Sequence, residues 1–135
     1  MKSLNSYQVS DRIPSREWAP NHVQIRQFAE ASGDFNPIHL DDNFARKVGL
    51  GSMVAHGMLT MGQLETMLAG WIGKEGRITK LEARFEQVVR PGDKITFCGS
   101  IRARSENILV CELEACNNNE EVVLSGLAYI IKNSQ

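Results

Sequence analysis

The chain has 135 residues, with 15 lysines and arginines against 16 aspartates and glutamates and a formal net charge of −1. That is enough chain for one core and too little for two. A near-neutral balance argues against nucleic-acid and membrane-surface partners, which want a basic field, and the longest apolar runs fall short of the roughly 18 residues that a membrane-spanning helix needs.

Taken in chain order, the first ten residues are polar and are expected to be loose, with no apolar run of the kind a secretory signal carries. Asp11 to Trp18 can form a short strand, which Pro14 confines to a sheet edge. Asn21 is suited to cap a first helix whose apolar face is Val23, Ile25, Phe28, Ala29 and Ala31, ending at Ser32 with Gly33 as its C-cap. His22, in its first turn, is expected to be solvated. Asp41 or Asp42 can cap a short second helix through Phe44, Ala45 and Val48, stopped by Gly49. A third helix is expected from Gly57 to Trp71. It is apolar nearly all round (Met58, Leu59, Met61, Leu64, Met67, Leu68, Trp71), so it should be buried and wrapped by a sheet.

After Gly76 the pattern changes to strands over 77–85, 94–104, 107–116 and 120–131, separated by turn signals such as Arg90-Pro91-Gly92-Asp93 and Asn117-Asn118-Asn119. Helices followed by hairpin-connected strands predict an α+β domain, with one antiparallel sheet around one long helix, the hot-dog arrangement. A lone sheet of this kind leaves an edge and an apolar flank, which dimerisation would cover. Cys98, Cys111 and Cys116 lack CxxC spacing and read as reduced packing thiols of a cytoplasmic protein.

The chemistry concentrates in Ser32-Gly33-Asp34-Phe35-Asn36-Pro37-Ile38-His39. Pro37 restricts Asn36 to extended or turn backbone, and the Asn36 side chain can lock that turn. The stiffened loop can aim Asp34 and His39 at one point, where a carboxylate and an imidazole can share a water as general base and acid. An ordinary capping Asp and a satisfied turn His would look similar. At His56-Gly57 a helix begins. Its first N–H groups lack internal partners, and a glycine lets a ligand oxygen approach them, which makes an oxyanion-type site for a thioester or ester carbonyl. Gly57 could instead serve only close packing. His56 fits a packing or hydrogen-bonding role better than a catalytic one. His39 with Asp41 and Asp42 could bind a divalent cation, but helix capping explains the two carboxylates more simply, and no metal is expected.

Phe28 through His39, with Ala45 six positions on, resembles the hydratase-2 motif of the MaoC-like (R)-specific enoyl-CoA hydratases and (3R)-hydroxyacyl-thioester dehydratases. Ala55-His56-Gly57-Met58-Leu59-Thr60-Met61-Gly62 is similar to the start of that family's central helix, and Arg84 through Asp93 to its following strand and turn. The resemblance covers about residues 21–131. It implies a hot-dog fold, a homodimer or a heterodimer with a sister subunit, and an active site at the subunit interface. It implies that Asp34 and His39 hold the catalytic water and that the Gly57 amide receives the thioester carbonyl, with Asn36 and His56 in support. The substrate would be an acyl thioester of CoA or ACP, and no cofactor is called for. In one departure, Gln63-Leu64-Glu65-Thr66 stands where some of these hydratases carry a serine. The rival readings are a hot-dog thioesterase acting through Glu65 and a non-catalytic acyl-binding subunit.

Overall fold

The computed structural model describes residues 2–133. Chain order runs through a 3-10 turn (Leu4–Ser6), β1 (Arg16–Trp18), α1 (His22–Ser32), a second 3-10 turn (Pro37–His39), α2 (Asp42–Lys47), α3 (Gly57–Ile72), β2 (Gly76–Phe85), β3 (Ile95–Arg104), β4 (Ile108–Cys116) and β5 (Val122–Lys132). The strands form one antiparallel sheet in the order β1-β3-β4-β5-β2. This is the expected α+β architecture, a curled sheet against a long helix. Curling is built into β5. A Cβ on Gly126 would collide with the Glu82 carbonyl oxygen of the neighbouring strand, so only glycine lets β2 and β5 approach so closely there.

The predicted helix ends hold, because capping is local chemistry. Asn21 accepts from the Gln24 N–H, Gly33 closes α1 in the left-handed conformation at φ 78°, and Asp41 accepts from the Asn43 and Phe44 amides. No helix of the described residues is long and apolar enough to cross a membrane.

Four expectations need correction. Residues 2–10 are not loose. Leu4 and Tyr7 are buried in the core, and the Ser10 N–H donates to the Ile101 carbonyl. The strand expected over 11–18 shrinks to Arg16–Trp18 plus a single bridge at Arg12, as Pro14 breaks the ladder, although β1 does lie at the sheet edge. On α1 only Ile25 and Ala29 are fully buried, with Phe28 packed against the core. Val23 and Ala31 face solvent. Finally, α3 is covered on one side only. Leu64 and Leu68 are fully buried against the sheet, whereas Met58, Gly62, Glu65, Thr66, Ala69 and Gly70 are exposed. A single sheet has only one face to offer, so a helix apolar all round keeps an uncovered flank.

This framework fixes the segment between α1 and α3. The Val54 N–H donates to the Ile38 carbonyl and the Ala55 N–H to the Val89 carbonyl, which ties the segment leading into α3 to the 3-10 turn before α2 on one side and to the loop after β2 on the other.

Candidate active site

The 33–39 loop is ordered by two successive side-chain turns. Asp34 Oδ1 accepts from the Asn36 N–H at 3.2 Å, and Asn36 Oδ1 accepts from the Ile38 N–H at 3.2 Å. Pro37 opens the 3-10 turn that ends at His39. One oxygen of Asp34 is thereby spent on the loop, and the other, Oδ2, faces His39 Nε2 at 3.9 Å. That gap is too long for a direct hydrogen bond and short enough for one water to bridge.

The two partners sit in different surroundings. His39 is buried, while the Asp34 side chain is 53% exposed. His39 Nδ1 donates to the Val54 carbonyl at 2.7 Å, which fixes the ring and leaves Nε2 for chemistry. His56 is buried beneath both residues. Its ring stacks on His39 with centroids 3.7 Å apart, Phe28 covers it at 4.8 Å, and its Nε2 donates to the Asp34 backbone carbonyl at 3.0 Å.

Gly57 is the first residue of α3, and His56 makes no side-chain cap. The first amides with acceptors are those of Leu59 and Thr60, both bonded to the His56 carbonyl, so the Gly57 end of the helix offers N–H groups to a ligand. The Phe85 ring lies 3.2 Å from where a Gly57 Cβ would stand. Glycine therefore serves close packing and access together.

Asp34, His39 and His56 present donor atoms within 4.8 Å of one another. They form a poor metal cage. His39 Nδ1 is spent on the Val54 carbonyl, His56 Nε2 carries the hydrogen given to the Asp34 carbonyl, and one oxygen of Asp34 is held by the Asn36 amide. Asp41 and Asp42, the other carboxylates considered, are spent on the Asn43 and Phe44 amides and on the Met53 amide. The thiols are equally unpromising as nucleophiles. Burial pushes Cys111 up to about 12 and Cys116, which also bonds to Glu114, up to about 11.

The family model described as MaoC like domain matches residues 5–112. The chain belongs to the MaoC-like dehydratase family. It is 34% identical over 108 residues to a 3-hydroxybutyryl-CoA dehydratase of Methylorubrum extorquens, covering 76% of this chain and 67% of that one. It is also 29% identical over 113 residues to fatty acid synthase 2 of Mycosarcoma maydis, a match that covers 75% of this chain and 3% of the synthase. Among solved structures, the R-hydratase PhaJ1 of Pseudomonas aeruginosa superposes with a TM-score of 0.88 at 22% identity, covering 97% of this chain and 85% of that one. That likeness establishes the hot-dog fold.

Within this MaoC-like site, sequence reasoning brought Asp34, Asn36, His39, His56 and Gly57 forward, and all five lie together. Glu65 is exposed two turns further along α3. Four contributors were missed. Val54 supplies a backbone carbonyl, which no side-chain signal marks. Phe28 and Phe85 stand inside the family-like blocks, but the sequence assigns neither a role at the site. Thr60 is a buried hydroxyl one turn into α3 with no protein partner, and its place in the helix pattern hid it.

Proposed function

We propose that this chain catalyses the reversible addition of water to trans-2-enoyl thioesters, giving (3R)-3-hydroxyacyl thioesters of CoA or ACP. The observation that carries this reading is the 3.9 Å gap between Asp34 Oδ2 and His39 Nε2, with the far side of His39 tied to Val54. A water held there accepts from the Nε2–H of His39, whose ring is doubly protonated in this step with its Nδ1–H on Val54, and donates to Asp34. As its oxygen attacks C3, Asp34 takes one of its protons and His39 gives one to C2, so water adds across the double bond and a proton passing from Asp34 to His39 resets the pair. The Gly57 N–H and the start of α3 stabilise the negative charge that develops on the thioester oxygen. The thioester itself serves as the electron sink, so no cofactor takes part.

The active protein is a dimer, of two copies or of this chain with a sister subunit. In support, β2 ends the sheet as a free edge of ten residues, and Phe35, Met58, Phe85 and Val88 expose apolar surface around the site. The three free thiols fit a reducing cytoplasm.

Crotonyl-CoA hydration, followed by loss of the enoyl absorbance with the product's configuration determined, tests the reading. Formation of (3R)-hydroxybutyryl-CoA is the expected result. Release of free CoA would instead mark a thioesterase.

A further inference from the structure

A second concave feature adjoins the dyad. Between α1 and α2 lies a cleft of about 550 Å³, with His39 in its wall. His22 and Arg26, one turn apart on α1, face it from one side, and Arg46 from the last turn of α2 faces it from the other. Among the described residues neither arginine makes an ion pair. The two carboxylates on the same wall are partly offset by backbone donors. Asp41 Oδ1 accepts from the Asn43 and Phe44 amides, and Asp42 Oδ1 from the Met53 amide. Arg46 is steadied by a bond from one guanidinium nitrogen to Asn43 Oδ1, which leaves its other N–H groups available.

Arg26 and Arg46 bring guanidinium groups without ion-pair partners from both sides of the cleft, while one oxygen of each wall carboxylate, Asp41 and Asp42, is held by backbone amides, so an anion is the occupant that would engage the free N–H groups. The planar fork of an arginine matches phosphate oxygens two at a time. The lining is mostly polar and charged, which unfits the cleft for an acyl chain. We propose that this cleft binds a phosphate of the thioester's carrier, a proposal that rests on the enoyl-thioester reading above. The chemistry agrees with that reading. In both CoA and ACP the pantetheine arm that carries the acyl group ends in a phosphate ester, and CoA adds nucleotide phosphates beyond it. The acyl end then lies at the Gly57 amide and the anionic end on the α1–α2 side of His39.

The test is the double variant Arg26→Gln/Arg46→Gln, assayed with crotonyl-CoA, crotonyl-phosphopantetheine and phosphate-free crotonyl-pantetheine. Calorimetric titration of adenosine 3′,5′-bisphosphate provides a readout that needs no turnover. The KM for crotonyl-CoA should rise at least about tenfold with kcat little changed, so the preference for crotonyl-CoA over crotonyl-pantetheine collapses. An equal rise with crotonyl-phosphopantetheine identifies the pantetheine phosphate, common to both carriers. A rise with crotonyl-CoA alone identifies the nucleotide phosphates. Normal turnover with an unchanged preference overturns the cleft assignment and leaves the hydratase reading standing. No turnover of any crotonyl thioester by the unmodified protein overturns the hydratase reading instead, and loss of bisphosphate binding in the double variant would then still support an anion cleft.

Discussion

The imidazole rings of His39 and His56 lie stacked, with centroids 3.7 Å apart and planes inclined at 24°. Each ring also bonds to a backbone carbonyl, His39 to Val54 and His56 to Asp34. The stack therefore links the two halves of the dyad. The ring beneath His39 is the one that holds the Asp34 backbone. His56→Phe keeps a flat ring in that place and removes the bond to Asp34 together with Nδ1, which is buried without a partner. It should cost about 1–2 kcal/mol of stability, the usual range for a buried hydrogen bond whose acceptor is left behind. Turnover should fall further than that loss of folded protein explains, with kcat rather than KM affected. Unchanged kcat in a folded variant would show that His56 does not position the Asp34 loop.

Asp34→Asn and His39→Gln address the proton transfers directly. The Asp34 side chain is half exposed, so the amide should leave stability nearly unchanged. Each variant should lose about 10²-fold or more in kcat, the usual size of a general acid–base contribution. Turnover close to that of the unmodified protein in either variant would remove that residue from the mechanism.

How much of this could be read from sequence follows the range of each interaction. Asp34, Asn36 and His39 share one loop, and the bonds that shape it span two residues, so residue types alone outlined half the site. The caps at Asn21, Gly33 and Asp41 were legible for the same reason. The bond from His56 to Asp34 spans 22 residues, and only the packed fold brings its ends together. Leu4 and Tyr7 are apolar residues in a polar stretch, with too little periodicity to announce burial. The open flank of α3 was illegible because hydropathy reports that a face wants cover, without saying whether this chain or another supplies it.

Gly57 allows the amide to be tested separately from the space around it. Proline suits the first position of a helix, where its fixed φ fits and its missing N–H breaks no internal bond. The preceding residue must be extended, and His56 already is, at φ −63° and ψ 136°. Gly57→Pro thus deletes the N–H proposed to meet the substrate oxygen. It should lower kcat by about 10²–10³-fold, as loss of one oxyanion donor does elsewhere. Gly57→Ala is the steric control, since its methyl presses on the same half-exposed Phe85 ring while the N–H remains. Equal losses in the two variants would assign Gly57 to packing alone.

The thiols make a pH-dependent prediction. Burial raises Cys111 from 9.0 to about 12, so its thiol stays neutral in the fold long after it would ionise in the unfolded chain. The unfolded state then loses protons that the folded state keeps. The corresponding stability is fully present below about pH 9 and is lost as pH rises towards 12. Cys111→Ala should flatten that alkaline decline in urea titrations run from pH 8 to pH 11. At pH 8 Cys111 should alkylate only as fast as the protein unfolds. Rapid labelling of the folded protein at that site would contradict the burial.

Leu4 tests whether the N-terminal segment belongs to the fold. It is 2% exposed within the main core, and Tyr7, three residues on, meets Trp71 of α3 edge-to-face with ring centroids 5.2 Å apart. The segment is also fastened by polar bonds, from Ser3 to Glu75 and from Arg104 to the Tyr7 carbonyl. Leu4→Ala opens a cavity at a point held on several sides, which limits collapse. It should cost about 2–4 kcal/mol, read as a lower urea midpoint with an unchanged slope. Neither Leu4 nor Tyr7 is among the bonded or stacked partners of Asp34, His39 and His56, so kcat of the folded fraction should be retained. A loss below about 0.5 kcal/mol, the range of an ordinary surface substitution, would mean that these residues do not pack as a part of the core.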